Sequence, residues 1–390
     1  MANEVAKNVI YAGVNDHDID LFEGQYYVPD GMAYNSYVVI DEKIAVFDTV
    51  DAKFGDEWLA NVKRACGEKS PDYLIIQHME PDHSANIPEF LKAYPNAQVV
   101  SNAKAFTMMD NFFGNGTVKN KITVTNGEVL ELGKHKLKFI FAPMVHWPEV
   151  MLTFDQTDGI LFSADAFGKF GAAGCADDLK GDWACEARRY YFGIVGKYGV
   201  QVQNLLKQAA ALDIKTICPL HGPVLKENLD YYFNLYNIWS GYQPESKGVF
   251  IAYSSVYGNT KKAAEILAGE LEAKGETVVI SDLARSDSAE CVEDAFRYDR
   301  LVLATTTYNG DIFPCMRAFI DALVERGYKN RTVGFIENGS WAPMAKKVMS
   351  GLLESCKNLT YIPTSATLLS GVSESTKQSL RQMAEELTSL

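Results

Sequence analysis

The sequence predicts two α/β domains: a layered α/β sandwich, then a doubly wound, five-stranded parallel sheet. Three observations support this fold class. The chain has 390 residues, long for one domain and sufficient for two. Apolar runs of strand length form hairpins in the first part of the chain and alternate with helical periodicity in the last part. Between the two parts, residues 239–248 read WSGYQPESKG, which favours turns and shows no apolar periodicity.

The first domain is predicted over residues 1–245. SYVVIDEKIAVFDTV and MLTFDQTDGILFSAD each predict two strands around a polar turn. Helical periodicity is found at Asp56–Cys66, Ile87–Tyr94 and Gln201–Ala211. A mixture of hairpins and helices over this length favours a layered sandwich.

The second domain is predicted over residues 248–390. Its strand segments are GVFIAYSS, TVVISDL, LVLATTT, TVGFIEN and LTYIPTSATL, and a helical segment follows each of them. Strands that alternate with helices indicate a parallel sheet with helices on both faces.

Composition excludes several classes of protein. The net charge is −13, from 37 basic and 50 acidic residues, which argues against a nucleic-acid partner. The seven cysteines form no CxxC pair, so a disulfide scaffold, a thiolate zinc site and a fused rubredoxin module are disfavoured, and buried, reduced thiols are expected. No signal peptide or membrane-spanning run is evident, and we expect a cytoplasmic protein. The cysteines are Cys66, Cys175, Cys185, Cys218, Cys291, Cys315 and Cys356.

Four of the six histidines follow apolar strand segments or lie just beyond one. Carboxylates accompany them, and strand ends of one sheet can converge in one cleft. In the segment HMEPDH, a histidine, a glutamate and an aspartate alternate and point to the same side of an extended backbone. The candidate metal ligands are His78, Glu80, Asp82, His83, His146, Asp165 and His221.

The other two histidines do not follow an apolar strand segment. His17 lies in the acidic segment NDHDID, and His135 lies between two lysines. Both are expected to be surface residues.

The H-x-E-x-D-H segment followed by separated His, Asp and His resembles the metallo-β-lactamase superfamily. The zinc hydrolases of this superfamily have a histidine at the position of Glu80. With a glutamate at this position, the segment resembles that of the flavodiiron proteins. An added anionic oxygen ligand suits iron better than zinc. The resemblance implies a metallo-β-lactamase-like αββα sandwich. It also implies one iron held by His78, Glu80 and His146, a second held by Asp82, His83 and His221, and a bridging Asp165.

Three loops at the predicted carboxyl edge of the second sheet carry hydroxyls, amides and aromatic rings. The first directly precedes a helix, whose N-terminal amides attract phosphate. Without a Walker motif or GxGxxG, a nucleoside triphosphate or a dinucleotide is less favoured. The candidate residues are Ser254, Ser255, Val256, Tyr257, Gly258, Asn259 and Thr260, then Thr306, Thr307, Tyr308, Asn309, Gly310 and Asp311, then Asn338, Gly339, Ser340 and Trp341. This domain resembles flavodoxin, which implies FMN as the ligand.

The flavodiiron resemblance covers essentially the whole chain and implies reduction of dioxygen to water, of nitric oxide to nitrous oxide, or both. Two ferrous ions and a reduced flavin hold four electrons together, which matches either reaction. Trp147 and Tyr191 are candidate residues of the substrate pocket or of the packing around it. The resemblance also implies an external electron donor, a rubredoxin-type protein or a reduced deazaflavin, and a head-to-tail homodimer or a dimer of dimers.

Two alternatives stay open from the sequence. One is a zinc hydrolase fused to an electron-transfer flavodoxin. The other is a flavodoxin carrier with a structural metal domain and no catalysis. The sequence does not choose between dioxygen and nitric oxide.

Overall fold

A computed structural model describes residues 4–172 and 183–389 of the chain. The chain divides into two compact units, one made of residues 1–191 with 200–237 and the other of residues 192–199 with 238–390. The limits predicted from the sequence, 1–245 and 248–390, stay a prediction for the functional domains.

The first unit is built on two main sheets. Its strands, numbered along the chain, are β1 (Glu4–Ala6), β2 (Val9–Tyr11), β3 (Val14–Asp16), β4 (Leu21–Phe22), β5 (Tyr26–Tyr27), β6 (Met32–Tyr34), β7 (Tyr37–Ile40), β8 (Ile44–Phe47), β9 (Tyr73–Ile75), β10 (Gln98–Ser101), β11 (Lys121–Thr123), β12 (Val129–Glu131), β13 (Lys136–Phe141), β14 (Met151–Asp155), β15 (Ile160–Phe162) and β16 (Thr216–Cys218). One sheet has the order β1-β2-β7-β8-β9-β10-β11, and the other has the order β12-β13-β14-β15-β16. Strands β3 with β6 and β4 with β5 form two small antiparallel sheets.

The two main sheets pack face to face. The ring of Phe47 at the end of β8 stacks on that of Phe162 at the end of β15, with centroids 3.9 Å apart, and apolar side chains of both sheets form one buried core. Both predicted hairpins are present, β7 with β8 and β14 with β15. The helices in this part of the chain are α1 (Gly55–Cys66), α2 (Pro81–Ser84), α3 (Ile87–Ala93), α4 (Ala103–Phe113), α5 (Trp183–Tyr190), α6 (Gly199–Ala209) and α7 (Leu229–Ser240), with 3₁₀ turns at Ala52–Phe54 and Gly196–Tyr198 and a π turn at Tyr191–Val195.

The second unit is a parallel sheet with helices, as predicted. Its strands are β17 (Ser246–Tyr253), β18 (Val278–Asp282), β19 (Tyr298–Tyr308), β20 (Asp311–Ile312), β21 (Thr332–Asn338), β22 (Thr360–Tyr361) and β23 (Ala366–Leu368), and its helices are α8 (Asn259–Glu272), α9 (Ser288–Arg297), α10 (Pro314–Glu325), α11 (Ala345–Leu352) and α12 (Glu374–Thr388). The order is β18-β17-β19-β21-β22, and β23 also pairs with β21. Ligands of such sheets bind at the carboxyl ends of the strands.

The segment LTYIPTSATL is not one continuous strand. It forms β22 and β23, each parallel to β21, with Pro363 between them. Proline has no backbone N–H to donate to a ladder, so the strand is interrupted there.

The described cysteines differ in their exposure, and not all are buried. Cys66, Cys218 and Cys291 are buried as expected, Cys315 and Cys356 are half-buried, and Cys185 is exposed. Cys175 lies outside the described residues. Among the described helices, none combines the length and the apolarity that a membrane span requires.

His17 is exposed, as expected, but the expectation that His135 lies on the surface was wrong. His135 is buried, and its Nδ1 donates to Oδ2 of the buried Asp155 at 2.8 Å. The Asp41 side chain accepts from the His135 backbone N–H at 2.7 Å. The flanking lysines suggested exposure, whereas the partner that allows burial lies 20 residues further along the chain.

This pair predicts a pH-dependent contribution to stability. The hydrogen bond to Asp155 raises the pKa of His135 above its ordinary value of 6.5, although burial opposes the shift. The contribution is therefore complete below about pH 6.5 and is lost as the pH rises through the higher folded-state pKa. We expect His135→Gln to lower the free energy of unfolding by about 1–2 kcal/mol at about pH 6, and by less at about pH 9.

Denaturant unfolding of both proteins across this pH range measures the difference. His17→Asn is the control, because it removes an exposed histidine of the same unit and should leave the free energy of unfolding nearly unchanged. A destabilisation by His135→Gln that grows as the pH rises would contradict the prediction.

Candidate metal centre and flavin site

Three of the candidate ligands converge with Asp165 in one group, in which Glu80 alone is partly exposed. His78 Nε2 lies 3.2 Å from Glu80 Oε2 and 3.3 Å from His146 Nε2. Glu80 Oε2 and His146 Nε2 are 3.0 Å apart. Their ligand atoms and one from Asp165 all lie within 4.8 Å of one another, close enough to hold one metal ion.

The other three candidates form a second group. His83 Nε2 lies 3.0 Å from His221 Nε2 and 3.4 Å from Asp82 Oδ2. His221 Nε2 is also 3.4 Å from Asp82 Oδ2. All three residues are buried, and the His83 ring nitrogen Nε2 faces the other two ligand atoms.

Asp165 lies between the two groups and presents one oxygen to each. Its Oδ2 is 3.1 Å from His146 Nε2 and 3.4 Å from His78 Nε2. Its Oδ1 is 3.2 Å from His83 Nε2 and 3.7 Å from His221 Nε2. A carboxylate placed in this way can bridge two metal ions.

The local fold explains the division into two groups. Strand β9 ends before His78, β15 before Asp165 and β16 before His221, so the strand ends deliver these side chains to one place. Helix α2 begins at Pro81 and contains both Asp82 and His83. The backbone turns after Glu80, and Asp82 therefore joins the second group.

The charges of this cluster fit bound cations. Both oxygens of Asp82 and of Asp165 are buried and accept no hydrogen bond from the described residues, which is costly for a carboxylate without a compensating partner. Burial raises the pKa of Asp82 to about 7, and the nearby charges of Glu80 and Asp165 add to this. Burial alone lowers the pKa of His146, but the adjacent Asp165 and Glu80 carboxylates outweigh it and raise the pKa to about 9. Metal ions would take the place of the protons that balance these carboxylates.

Two buried carboxylates hold the segment that supplies the first ligand. Asp48 Oδ1 accepts from the backbone N–H of Gln77 at 2.7 Å and from that of His78 at 3.3 Å. Glu149 Oε1 accepts from the backbone N–H of Met79 and from His78 Nδ1, both at 2.8 Å. Sequence reasoning missed both acids. Asp48 follows directly after β8, which is the signal that pointed to the other ligands, but no such signal marks Glu149.

Aromatic rings surround the second group. The rings of Phe22, Tyr34 and Tyr190 lie 5.4, 6.0 and 5.5 Å from that of His221, measured between centroids. These residues are buried and form an apolar wall beside the ligands.

The two aromatic residues singled out from the sequence lie in different surroundings. The Trp147 ring lies 5.3 Å from the His78 ring. The buried Tyr191 ring packs 5.2 Å from Tyr236, whereas its neighbour Tyr190 contacts the His221 ring. Tyr190 is the last residue of α5 and Tyr191 the first of the π turn, so only the backbone at this junction shows which of the two rings faces His221.

In the second unit, the three predicted loops follow β17, β19 and β21 at the carboxyl edge of the sheet. Gly258, with φ +86°, directly precedes α8, and its N–H donates to Ser255 Oγ at 3.0 Å. Tyr257 and Trp341 are 93% and 92% exposed, and Tyr308 is half as exposed at 43%. Large aromatic rings this exposed beside a helix N-terminus fit a flat ligand that carries a phosphate.

Several of the predicted flavin residues already have partners within the protein, and Asp311 and Thr307 are two of them. Asp311 accepts two hydrogen bonds of 2.6 Å from Arg317. The Thr307 hydroxyl accepts from the backbone N–H of Met344 at 2.9 Å and of Ala345 at 3.2 Å, at the start of α11. Both side chains shape the loops and have less capacity left for a ligand.

A fourth loop, after β23, joins the other loops, and sequence reasoning missed it. Asn338 exchanges two hydrogen bonds with the Ser370 backbone, of 3.0 and 3.2 Å, and its amide also donates to Thr260 Oγ1 at 3.4 Å. The Ser370 hydroxyl donates to Ser340 Oγ at 2.8 Å. One buried side chain therefore ties three loops together.

This arrangement predicts that Asn338→Leu weakens FMN binding by at least about tenfold, because three hydrogen bonds that position the loops are lost. Fluorescence titration of the flavin-free protein with FMN measures the effect. Thr364→Val is the control, because it removes the hydrogen bond from Thr364 to Glu386 before β23 begins, and it should bind FMN as the wild type does. Unchanged affinity in a folded Asn338→Leu protein would show that these contacts do not support the site.

Comparisons with known proteins agree with both units. The ODP family of beta lactamases matches residues 32–222, and a flavodoxin domain matches residues 250–363. The nitric oxide reductase of Moorella thermoacetica is 30% identical over 359 residues, which covers 90% of each chain.

Two solved structures show the same fold. The rubredoxin oxygen:oxidoreductase from Desulfovibrio gigas superposes with a TM-score of 0.93 at 24% identity, covering 100% of this chain and 98% of that chain. The flavodiiron protein from Giardia intestinalis superposes with a TM-score of 0.90 at 24% identity, covering 100% and 97%.

Fold and donor set together define a two-domain oxidoreductase with a β-lactamase-like domain and a flavodoxin domain. The chain belongs to the flavodiiron protein family.

Proposed function

We propose that this protein reduces dioxygen to water, nitric oxide to nitrous oxide, or both, as a flavodiiron oxidoreductase. The observation that carries the proposal is Asp165, whose two oxygens face two separate groups of histidine and carboxylate ligands. A pair of metal sites with three carboxylates, in the same chain as a flavodoxin domain, fits a redox metal better than zinc.

The proposed assignment of residues follows the two groups. His78, Glu80 and His146 would hold the first iron, Asp82, His83 and His221 would hold the second, and Asp165 would contact both. When bound, the irons would bind and reduce the substrate, and FMN would supply electrons from a donor. The FMN residues are those of the loops Ser254–Thr260, Thr306–Asp311 and Asn338–Trp341, and the domain limits are 1–245 and 248–390.

The chain's own residues prepare this site in two ways. The ligands come from the ends of several strands, so the fold holds them in place before a substrate arrives. The buried rings of Phe22, Tyr34 and Tyr190 keep water from the second group. Trp147 and Tyr191 are retained as proposed pocket residues, and Trp147 is the one whose ring lies against a ligand of the first iron.

Metal analysis and stopped-flow kinetics test the proposal. We expect about two irons and one FMN per chain, following the residue groups above. The FMN is reduced anaerobically, and its reoxidation by dioxygen and by nitric oxide is then compared. Fast reoxidation by either gas supports the function and identifies the preferred substrate. Zinc in place of iron, together with hydrolase activity, would contradict it.

The proposed reaction also requires an electron donor and a second subunit. Electrons come from a separate donor, either a rubredoxin-type protein or a reduced deazaflavin. The protein acts in the cytoplasm as a head-to-tail homodimer or a dimer of dimers, in which the FMN of one subunit serves the irons of the other. Sedimentation and turnover are measured over a dilution series, and a monomer with full activity would contradict the dimer.

A further inference from the structure

A carboxylate outside the two ligand groups contacts the back of one ligand ring. Glu149 is 2% exposed, and its Oε1 lies 2.8 Å from His78 Nδ1. His78 Nε2, on the other side of the ring, faces Glu80, His146 and Asp165. A carboxylate only accepts hydrogen bonds, so His78 Nδ1 carries a proton, and in the neutral ring, which is the form that binds a metal, the lone pair is on Nε2.

The backbone around Glu149 is fixed independently. Its carbonyl accepts from the Asn102 side chain at 2.5 Å, and the same Asn102 begins α4 by accepting from the N–H groups of Lys104 and Ala105. The Glu149 Oε1 atom also accepts from the Met79 backbone N–H. Glu149 is thereby attached both to the ligand segment and to a neighbouring helix.

We propose that Glu149 is a positioning residue, which fixes the tautomer and orientation of His78 so that Nε2 points at the first metal. The proposal rests on the proposed function. A carboxylate bonded to Nδ1 also makes the imidazole a stronger electron donor, which favours metal binding. None of the other three histidine ligands has such a partner among the described residues: His221 Nδ1 donates to the Ala33 carbonyl at 2.7 Å, and His83 Nδ1 has no partner.

The chain contains a matched control for this pair. His135 and Asp155 form the same contact, Nδ1 to carboxylate at 2.8 Å, in the same unit and also buried, but neither is a candidate ligand of the two groups. Asp155→Asn should cost stability as the Glu149 variants do, without affecting metal retention.

The experiment uses the full-length protein with bound FMN, loaded anaerobically with ferrous iron and then titrated with a chelator. We expect Glu149→Leu to retain the first iron about 10–100-fold less tightly than the wild type. Glu149→Gln should recover part of the loss, because its amide oxygen can still accept from His78 Nδ1 without the charge. In the zinc-loaded, diamagnetic protein, ¹H–¹⁵N NMR of the histidines should show a downfield, slowly exchanging Nδ1–H of His78 in the wild type, and Glu149→Leu should lose this strongly hydrogen-bonded proton signal.

The outcomes separate this inference from the proposed function. Equal iron retention in wild type and Glu149→Leu, or equal losses in Glu149→Leu and Asp155→Asn, would overturn the role of Glu149 alone. A wild-type protein that takes up no iron would overturn the proposed function and the role of Glu149 with it.

Discussion

Replacing Asp165 by asparagine should remove both metal ions rather than one. The substitution keeps the shape of the side chain but takes a negative charge from a residue that faces both groups. We expect iron affinity to fall by at least about 100-fold and turnover to fall with it. Iron content after desalting, measured together with oxygen and nitric oxide consumption, shows the effect.

The same variant should also destabilise the protein when metal is absent. Burial raises the pKa of the Asp165 carboxyl, but the neighbouring His78, His146 and His83 outweigh it and hold this pKa well below its ordinary value, so the charged carboxylate stabilises the metal-free fold. Metal-free Asp165→Asn should therefore be less stable than the metal-free wild type at about pH 7. Asp155→Asn is the control, because it breaks a buried contact away from the ligands and should keep both irons. Two tightly held irons in Asp165→Asn would refute the bridging role.

Replacing Glu80 by histidine should change the preferred metal. Glu80 Oε2 lies 3.0–3.2 Å from Nε2 of both histidines of the first group, and a neutral imidazole at this position suits zinc better than iron. We expect iron retention to fall by at least about tenfold and turnover to fall at least as much. Competitive loading with ferrous iron and zinc, followed by metal analysis, measures the change.

Glu89→His provides the comparison for this variant. Glu89 lies in α3, half-exposed beside Lys92, so the substitution makes the same change of charge and adds the same ring outside the site. It should leave metal content and turnover unchanged. Undiminished turnover in Glu80→His would contradict the assignment of Glu80 as an iron ligand.

Sequence patterns predicted both folds and the candidate residues that the structure brings together in two groups, because those features are local. Histidines and aspartates that directly follow apolar strands are visible without a structure, and the strands then bring them together. Pro363 already indicated an interruption of the predicted strand LTYIPTSATL, but the apolar residues on both sides of it favoured one continuous strand.

The features that were missed depend on long-range contacts. Glu149 meets His78 71 positions away in sequence, and Asp155 buries a histidine whose neighbours are charged. The choice between Tyr190 and Tyr191 depends on the backbone at the junction of α5 and the π turn, which the sequence leaves undetermined. A candidate ligand can thus be predicted from the apolar strand that precedes it. The residues that orient it can be identified only from the three-dimensional structure.

The interrupted strand at the edge of the parallel sheet in the second unit has a consequence for self-association. An exposed sheet border can recruit a strand from another molecule and begin aggregation. Here the outermost ladder consists of β22 with two residues and β23 with three, and Pro363 between them has no N–H to offer an incoming strand. This border is therefore a poor template for intermolecular β-sheet growth, and contacts between subunits are expected to use other surfaces.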